Sequence, residues 1–304
     1  MSSIQNNCLL TVVVVTYNSS LFIHDTLLSI SKQHSKDIQI ILTDDCSTDN
    51  TYEILFEWQK LNNDLFSEII LLDSKENLGV VQNFEKTFKY SKGIWLKAIA
   101  GDDIFDLDAF KFIRTDIELY SNSSVIVGKA EIFGENISNR IIIPRKEIIS
   151  KLKTINHTKN YLFEGYTFPG VSFLIRTKIL KENNLFKHAR KNLEDIPFQL
   201  ELLFMGYRFE QSEHTYIHYR KHDANLSNLN NGILAKNFLD YQKILLIYSL
   251  KGFKINYMIN STWNVFWGFV IFIFGNEGKI CTFLNDFRKS LQPKRFFKLF
   301  GRPF

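Results

Sequence analysis

The chain has 304 residues, 45% of them hydrophobic, and a formal net charge of +5. That length buries a sizeable core in one large domain, or in one domain with an appendage, without disulfide or metal staples. Cys8, Cys46 and Cys281 are too few and scattered for a disulfide framework, no Cys-x-x-Cys or His-rich zinc spacing occurs, and the charge is too small and mixed to indicate nucleic acid.

Leu9–Thr16 (LLTVVVVT) is apolar and β-branched, which suits a strand buried on both faces. Before it, MSSIQNNCLL has neither a positive leader nor a long apolar core, so a cytosolic protein in a reducing compartment is expected. Leu21–Gln33 has helical spacing, and Ile38–Thr43 is a second strand ending at Asp44 and Asp45. Ser47, Thr48 and Asp49 supply caps for a helix to about Leu61, and Glu68–Leu72 makes a third strand. Gly79–Lys89 is helical again, and Ile94–Ala100 is a fourth strand that stops at Gly101, Asp102 and Asp103. Strands alternating with helices predict an α/β fold on a mostly parallel sheet with right-handed crossovers. The first 120 residues therefore read as a nucleotide-binding half.

After Tyr120 the alternation fails, and residues 121–227 read as an acceptor half. Val125–Phe133 and Ile141–Pro144 look like strands, Pro169-Gly170 punctuates a loop before VSFLIR, and Leu193–Met205 is an amphipathic helix with Glu194 and Asp195 in its first turn. Tyr207–Glu210 and Thr215–Arg220 read as two short strands, and Ser227–Gly232 (SNLNNG) reads as a linker. Residues 228–304 form a helical, aromatic and basic extension. Its WNVFWGFVIFIF run, Trp263–Phe274, is twelve residues long where a spanning helix needs roughly twenty. With the basic tail from Arg288 to Arg302, the run suits a helix lying on an anionic leaflet; packing on the main domain or on a second subunit is the alternative.

Asp102 and Asp103 at a strand mouth admit two readings. Open α/β sheets bind ligands at that edge, and two adjacent carboxylates repel until a divalent cation relieves them. Alternatively one of them simply caps the helix beginning near Asp106.

Five segments in order, VVVVTYNSS, ILTDDCSTDNT, ENLGVVQNF, WLKAIAGDDIF and NLEDIPF, resemble the motifs of the family 2 glycosyltransferases of the GT-A fold. The resemblance covers Val12 to Phe198 and implies a Rossmann-like central sheet with flanking helices. It implies inverting transfer of a sugar from a nucleotide-diphosphate donor, usually with Mg2+ or Mn2+. On the matching positions, Thr16, Tyr17 and Asn18 meet the nucleotide, and Asp45 accepts a hydrogen bond from a uracil-type base, favouring a UDP-sugar. Asp44 instead holds its loop, and Asn77, Gly79 and Asn83 belong to the donor segment, with helix capping as the competing role for Asn77. Ala100 stands where the Asp-x-Asp motif has its first acid, which leaves Asp103 to the metal and Asp102 to the ribose or to a shared ion.

Asp195, with Glu194 as fallback, is the expected base for the acceptor hydroxyl; favouring the helix N-terminus is the alternative for both. Arg220 is expected to screen phosphate and His222 to bind metal, although a lone His is more often structural. The acceptor implied is a saccharide or lipid-linked oligosaccharide at the inner face of the plasma membrane. Two rivals stay open. A sugar nucleotidyltransferase would want a Gly-rich basic phosphate loop where TYNSSLF stands, and a non-catalytic nucleotide-sugar binding module is kept alive by Ala100.

Overall fold

The computed structural model describes residues 8–134, 137, 141–145, 149–150, 152–164, 167–190, 193–222 and 231–252, with 258–259, 261–263 and 265–266. The chain falls into two compact units, Met1–Lys187 with Glu201–Asp223, and His188–Leu200 with Ala224–Phe304.

In the first unit, β1 (Leu10–Thr16), β2 (Ile38–Asp44), β3 (Glu68–Leu72) and β4 (Trp95–Ala100) form a parallel ladder in the order β3-β2-β1-β4. β1 and β2 are buried along nearly every residue, as their unbroken apolar runs require. The crossovers run through α1 (Ile23–Ser31), α2 (Thr51–Asn62) and α3 (Val80–Glu85). α1 buries Ile23, Thr26, Leu27 and Ile30, a stripe at helical spacing that faces the sheet. The long helix expected over Gly79–Lys89 is instead α3 followed by a separate 3-10 turn at Phe88–Tyr90.

Beyond β4 the sheet is mixed. β5 (Ile104–Phe105) and α4 (Ala109–Leu119) precede β6 (Val125–Gly134) and β7 (Ile141–Ile143), and α5 (Ile155–Phe163), β8 (Phe173–Arg176) and α6 (Thr177–Glu182) follow. Neither α5 nor α6 was expected; α5 is capped by Thr154, whose side chain accepts the His157 backbone N–H at 3.2 Å. β8 lies antiparallel between β4 and β6. α7 (Asp195–Phe204) leads to β9 (Glu210–Lys221), which runs parallel to β6 and antiparallel to β5. Of the two short strands expected here, Thr215–Arg220 lies within β9, a strand of 12 residues, whereas of Tyr207–Glu210 only Glu210 is strand.

β9 is fixed at its middle. Its register against β6 shifts around Lys129, a bulge that turns Tyr216 inward. Gly128 makes room for that ring, because a Cβ at position 128 would overlap it. The Tyr216 hydroxyl donates to Asp116 of α4 at 2.6 Å, and Ser212 Oγ donates to the same carboxylate at 2.5 Å. His214 Nδ1 lies 3.1 Å from Asp116 and its ring stacks on Phe112. Burial, then the Asp116 charge, pushes the Tyr216 phenol far above its ordinary range, so it stays a donor.

In the second unit, α8 (Asn231–Lys251) is anchored by the Tyr248 hydroxyl, which donates to Pro197 O at 3.3 Å. Asn231 and Gly232, expected in the linker, are already helical, and the rest of the linker lies outside the described residues. Among the described residues no helix is long and apolar enough to cross a membrane. The basic tail and most of the Trp263–Phe274 run lie outside the described residues.

Gly128→Ala is expected to cost about 1–3 kcal/mol of stability through overpacking against Tyr216. Urea denaturation reads it, and an unchanged midpoint would show that the bulge adapts freely.

Candidate functional site

The C-terminal ends of β1 and β2 are laced together by their loops. Asn18 adopts φ 49° and accepts the Thr48 N–H on Oδ1 at 2.8 Å, while its own N–H donates to Ser47 Oγ at 2.8 Å. Ser19 N–H donates to Thr51 Oγ1 and Ser20 N–H to Asp49 Oδ2. Thr16 is buried and donates to Asp44 Oδ1 at 2.8 Å, so its hydroxyl is structural. Tyr17 and Asn18 are both exposed, and Tyr17 presents an aromatic ring with 48% of the residue open at the mouth of β1.

Asp44 holds its loop as expected, accepting from Thr16 Oγ1 and from Ser47 through both N–H and Oγ. Asp45 does similar work. Its Oδ1 accepts the Leu78 N–H at 2.9 Å and its Oδ2 the Gly79 N–H at 2.7 Å, and the residue is only 2% exposed. A direct contact from Asp45 to a base thus requires the Leu78–Gly79 strap to move. Asn77 completes the strap by accepting the Gly79 N–H at 3.1 Å, a turn bond and not a helix cap, since the N-cap of α3 is Gly79 and no side chain caps it. Gly79 has φ +83° with open space around a hypothetical Cβ, so glycine is required by backbone conformation rather than by close approach. Asn83 departs from expectation outright. It is 1% exposed, accepts from Thr43 Oγ1 at 2.7 Å and donates to Thr16 O and Thr43 O, which makes it an internal stitch across the strand ends.

At the mouth of β4 the adjacent aspartates face opposite ways, and neither caps α4, whose N-cap is Asp108. Asp103 is 0% exposed; its Oδ1 accepts the Arg220 N–H at 2.9 Å and its Oδ2 is buried with no partner. Burial, then the charge of Asp102, raises Asp103 well above the usual carboxylate range. Asp102 is on the open side, with Oδ2 at 3.0 Å from His222 Nε2. Expectation gave the cation to Asp103; its burial argues for the opposite division of labour.

Arg220 is not a loose phosphate screen. Its Nε donates to Asp102 O at 2.8 Å, its NH2 group pairs with Asp25 at 2.7 Å, and its guanidinium lies between the rings of Phe22 and Phe133 at 4.9 and 4.8 Å. The His222 ring rests 4.4 Å from Phe22. Among the described residues no group of three or more His, Cys, Asp or Glu side chains is gathered for a metal. One carboxylate and one imidazole would nevertheless be donors suited to a divalent cation such as Mn2+.

Glu194 and Asp195 open α7 in the second unit, where Glu194 O accepts the Phe198 N–H at 3.2 Å and burial raises the Glu194 carboxyl. The sequence reading missed Lys97, the cation inside WLKAIA. It is 0% exposed, and its ammonium donates to Ala98 O at 2.9 Å and to Val171 O. A lysine within an apolar strand was the available signal.

The family model described as Glycosyl transferase family 2 matches residues 11–183. The chain is 23% identical over 193 residues to the poly(ribitol-phosphate) β-N-acetylglucosaminyltransferase TarS of Staphylococcus aureus, covering 62% of this chain and 31% of TarS. It is 25% identical over 191 residues to the UDP-Glc:α-D-GlcNAc-diphosphoundecaprenol β-1,3-glucosyltransferase WfgD of Escherichia coli, covering 58% of this chain and 72% of WfgD. The TarS 1-349 structure with UDP-GlcNAc superposes with a TM-score of 0.62 at 20% identity, covering 85% of this chain and 72% of that one, so the fold is GT-A. The mannosyltransferase PcManGT of Pyrobaculum calidifontis, in complex with GDP-Man and Mn2+, gives 0.56 at 14% identity, covering 94% and 81%. The chain spans about a third of the length of several curated relatives it matches.

Burial pulls the Lys97 amine from 10.5 down to about 7. Between those values the unfolded chain binds a proton that the folded chain refuses. Stability from neutral Lys97 is therefore full above about pH 10 and falls as the pH drops to about 7, by up to about 1.4 kcal/mol per unit. Lys97→Met is expected to flatten that dependence, read from urea midpoints at pH 7 and pH 9.

Proposed function

The chain belongs to glycosyl transferase family 2, and on that premise we propose that it is an inverting glycosyltransferase moving a sugar from a nucleotide-diphosphate sugar, a UDP-sugar by preference, to a saccharide hydroxyl. The observation that carries this reading is the mouth of β4, where Asp102 and His222 meet 3.0 Å apart on the open side of the loop that Arg220 fixes. In this reading Asp102 and His222 hold Mg2+ or Mn2+, which neutralises charge developing on the departing nucleoside diphosphate. Arg220 keeps Asp102 in place through the main chain, and Asp103, out of solvent, positions the turn from Oδ1.

Tyr17 offers its exposed ring to the base, while Asn18, Asp45, Asn77 and Gly79 hold the loops that border it. This replaces a direct base contact by Asp45 with a supporting one. Asp195, the first residue of α7, takes the proton from the acceptor hydroxyl, with Glu194 beside it as the reserve base. The relatives' names support a lipid-linked oligosaccharide acceptor for surface polysaccharide assembly, since WfgD acts on a diphosphoundecaprenol-linked sugar. A peripheral position on the inner leaflet, through the aromatic and basic extension, belongs to the same proposal.

Incubation with a panel of nucleotide sugars and either metal is expected to release nucleoside diphosphate slowly, in a metal-dependent way that Asp102→Ala abolishes. Tight donor binding without any product would instead make the chain a binding module. With an acceptor found, Asp195→Asn is expected to keep donor affinity and lose about a hundred- to ten-thousandfold in transfer rate. Full transfer by that variant would remove Asp195 from the reaction.

A further inference from the structure

The strands of the first unit have a second rim. Where β4 begins and β8 ends, at the opposite end of β4 from Asp102, lies a cleft of about 710 Å³. Four of its charges cancel in pairs, since Lys92 meets Glu68 at 2.9 Å and Lys178 faces Glu182 at 3.8 Å. Three cations, Lys89, Arg176 and Lys181, have no carboxylate partner among the described residues.

These three are held in place by groups that leave their charge intact. Lys181 Nζ donates to Ser91 O at 2.7 Å, and Lys89 Nζ stands 4.7 Å from the Tyr90 ring centroid. Arg176 donates to Ser121 O and Ser123 O and lies 4.7 Å over the Trp95 ring. A separate observation comes from Thr177. It lines the same cleft at 4% exposure, and its Oγ1 is a buried hydroxyl with no hydrogen-bond partner. Buried hydroxyls are normally satisfied, and one that is not, beside uncompensated cations, marks a place where an acceptor oxygen is missing.

A phosphate group answers both features. It carries close to two negative charges and several acceptor oxygens, and its bonds to lysine and arginine are charge-assisted. A cleft of this volume is of the size that takes a small molecule. We propose that this cleft is an anion site, distinct from the β4 mouth, that takes the phosphate group of a small soluble phosphate ester. It stands independently of the transferase reading, because none of its residues is used there.

Calorimetric titration of the full chain with inorganic phosphate, and with glycerol 1-phosphate, at low salt tests it. One binding event is expected that survives Asp102→Asn. It is expected to weaken at least roughly tenfold in Lys89→Glu and in Lys181→Glu, and roughly tenfold in Thr177→Val, the size of losing one hydrogen bond to a charged group. Thr177→Val breaks no protein hydrogen bond, so its melting temperature is expected to stay at or above that of the parent. No binding, or binding equal in all three cleft variants, overturns the proposal. Binding that requires added Mn2+ and is unchanged in the cleft variants overturns it too, by placing the phosphate at the β4 mouth and leaving the transferase reading intact. Binding confined to phosphatidylglycerol vesicles, with none to either soluble probe, overturns the soluble ligand.

Discussion

Arg220 ties together segments that are far apart in sequence. Its backbone N–H reaches Asp103, its Nε reaches Asp102 O, and its terminal nitrogen reaches Asp25 on α1. Aromatic rings from the loop before α1 and from β6 close over the guanidinium on both faces. A planar cation with donors along its edges and apolar contact on its faces is suited to that position, and lysine could not fill it. The Asp102 turn thus takes its shape from β9, so the alignment of β9 in the sheet becomes a determinant of the site. That alignment is set farther back, by the Asp116 cluster and the Tyr216 bulge.

The electrostatics follow from which aspartate is inside. Two adjacent carboxylates in one turn repel each other, and burial makes Asp103 the one whose charged form is disfavoured. Lys97 is a second buried titratable group near it, drawn toward the neutral form by the same absence of water. Asp102, His222 and Arg220 carry the polarity of the turn outward.

The parallel ladder was legible because two-sided burial leaves an unmistakable apolar run, as in LTVVVVT and IQIILTD. The site was legible only as far as residue types allow. A pair of aspartates after a strand announces a polar turn, but which one points inward depends on β9, more than a hundred residues away. Asn83 illustrates the same limit, since a side chain that could meet a ligand or stitch two strands reads identically until its neighbours are known. The start of β9 was missed because Gln211 to His214 is polar, and the Asp116 carboxylate explains why polar residues form a strand there. α6 follows β8 without an intervening turn signal, which left nothing in composition to announce it.

The placing of β8 has a bearing on how the polypeptide reaches this state. The inner flank of β4 is completed by residues 173–176, so its row of peptide groups waits for chain made some eighty positions later. Until then the half-built sheet has an adhesive margin, bordered by Trp95 and Leu96, at which another nascent copy can pair. A fragment ending near residue 120 would carry that margin permanently, and so the segment most readily recognised in the sequence is a poor candidate for independent existence.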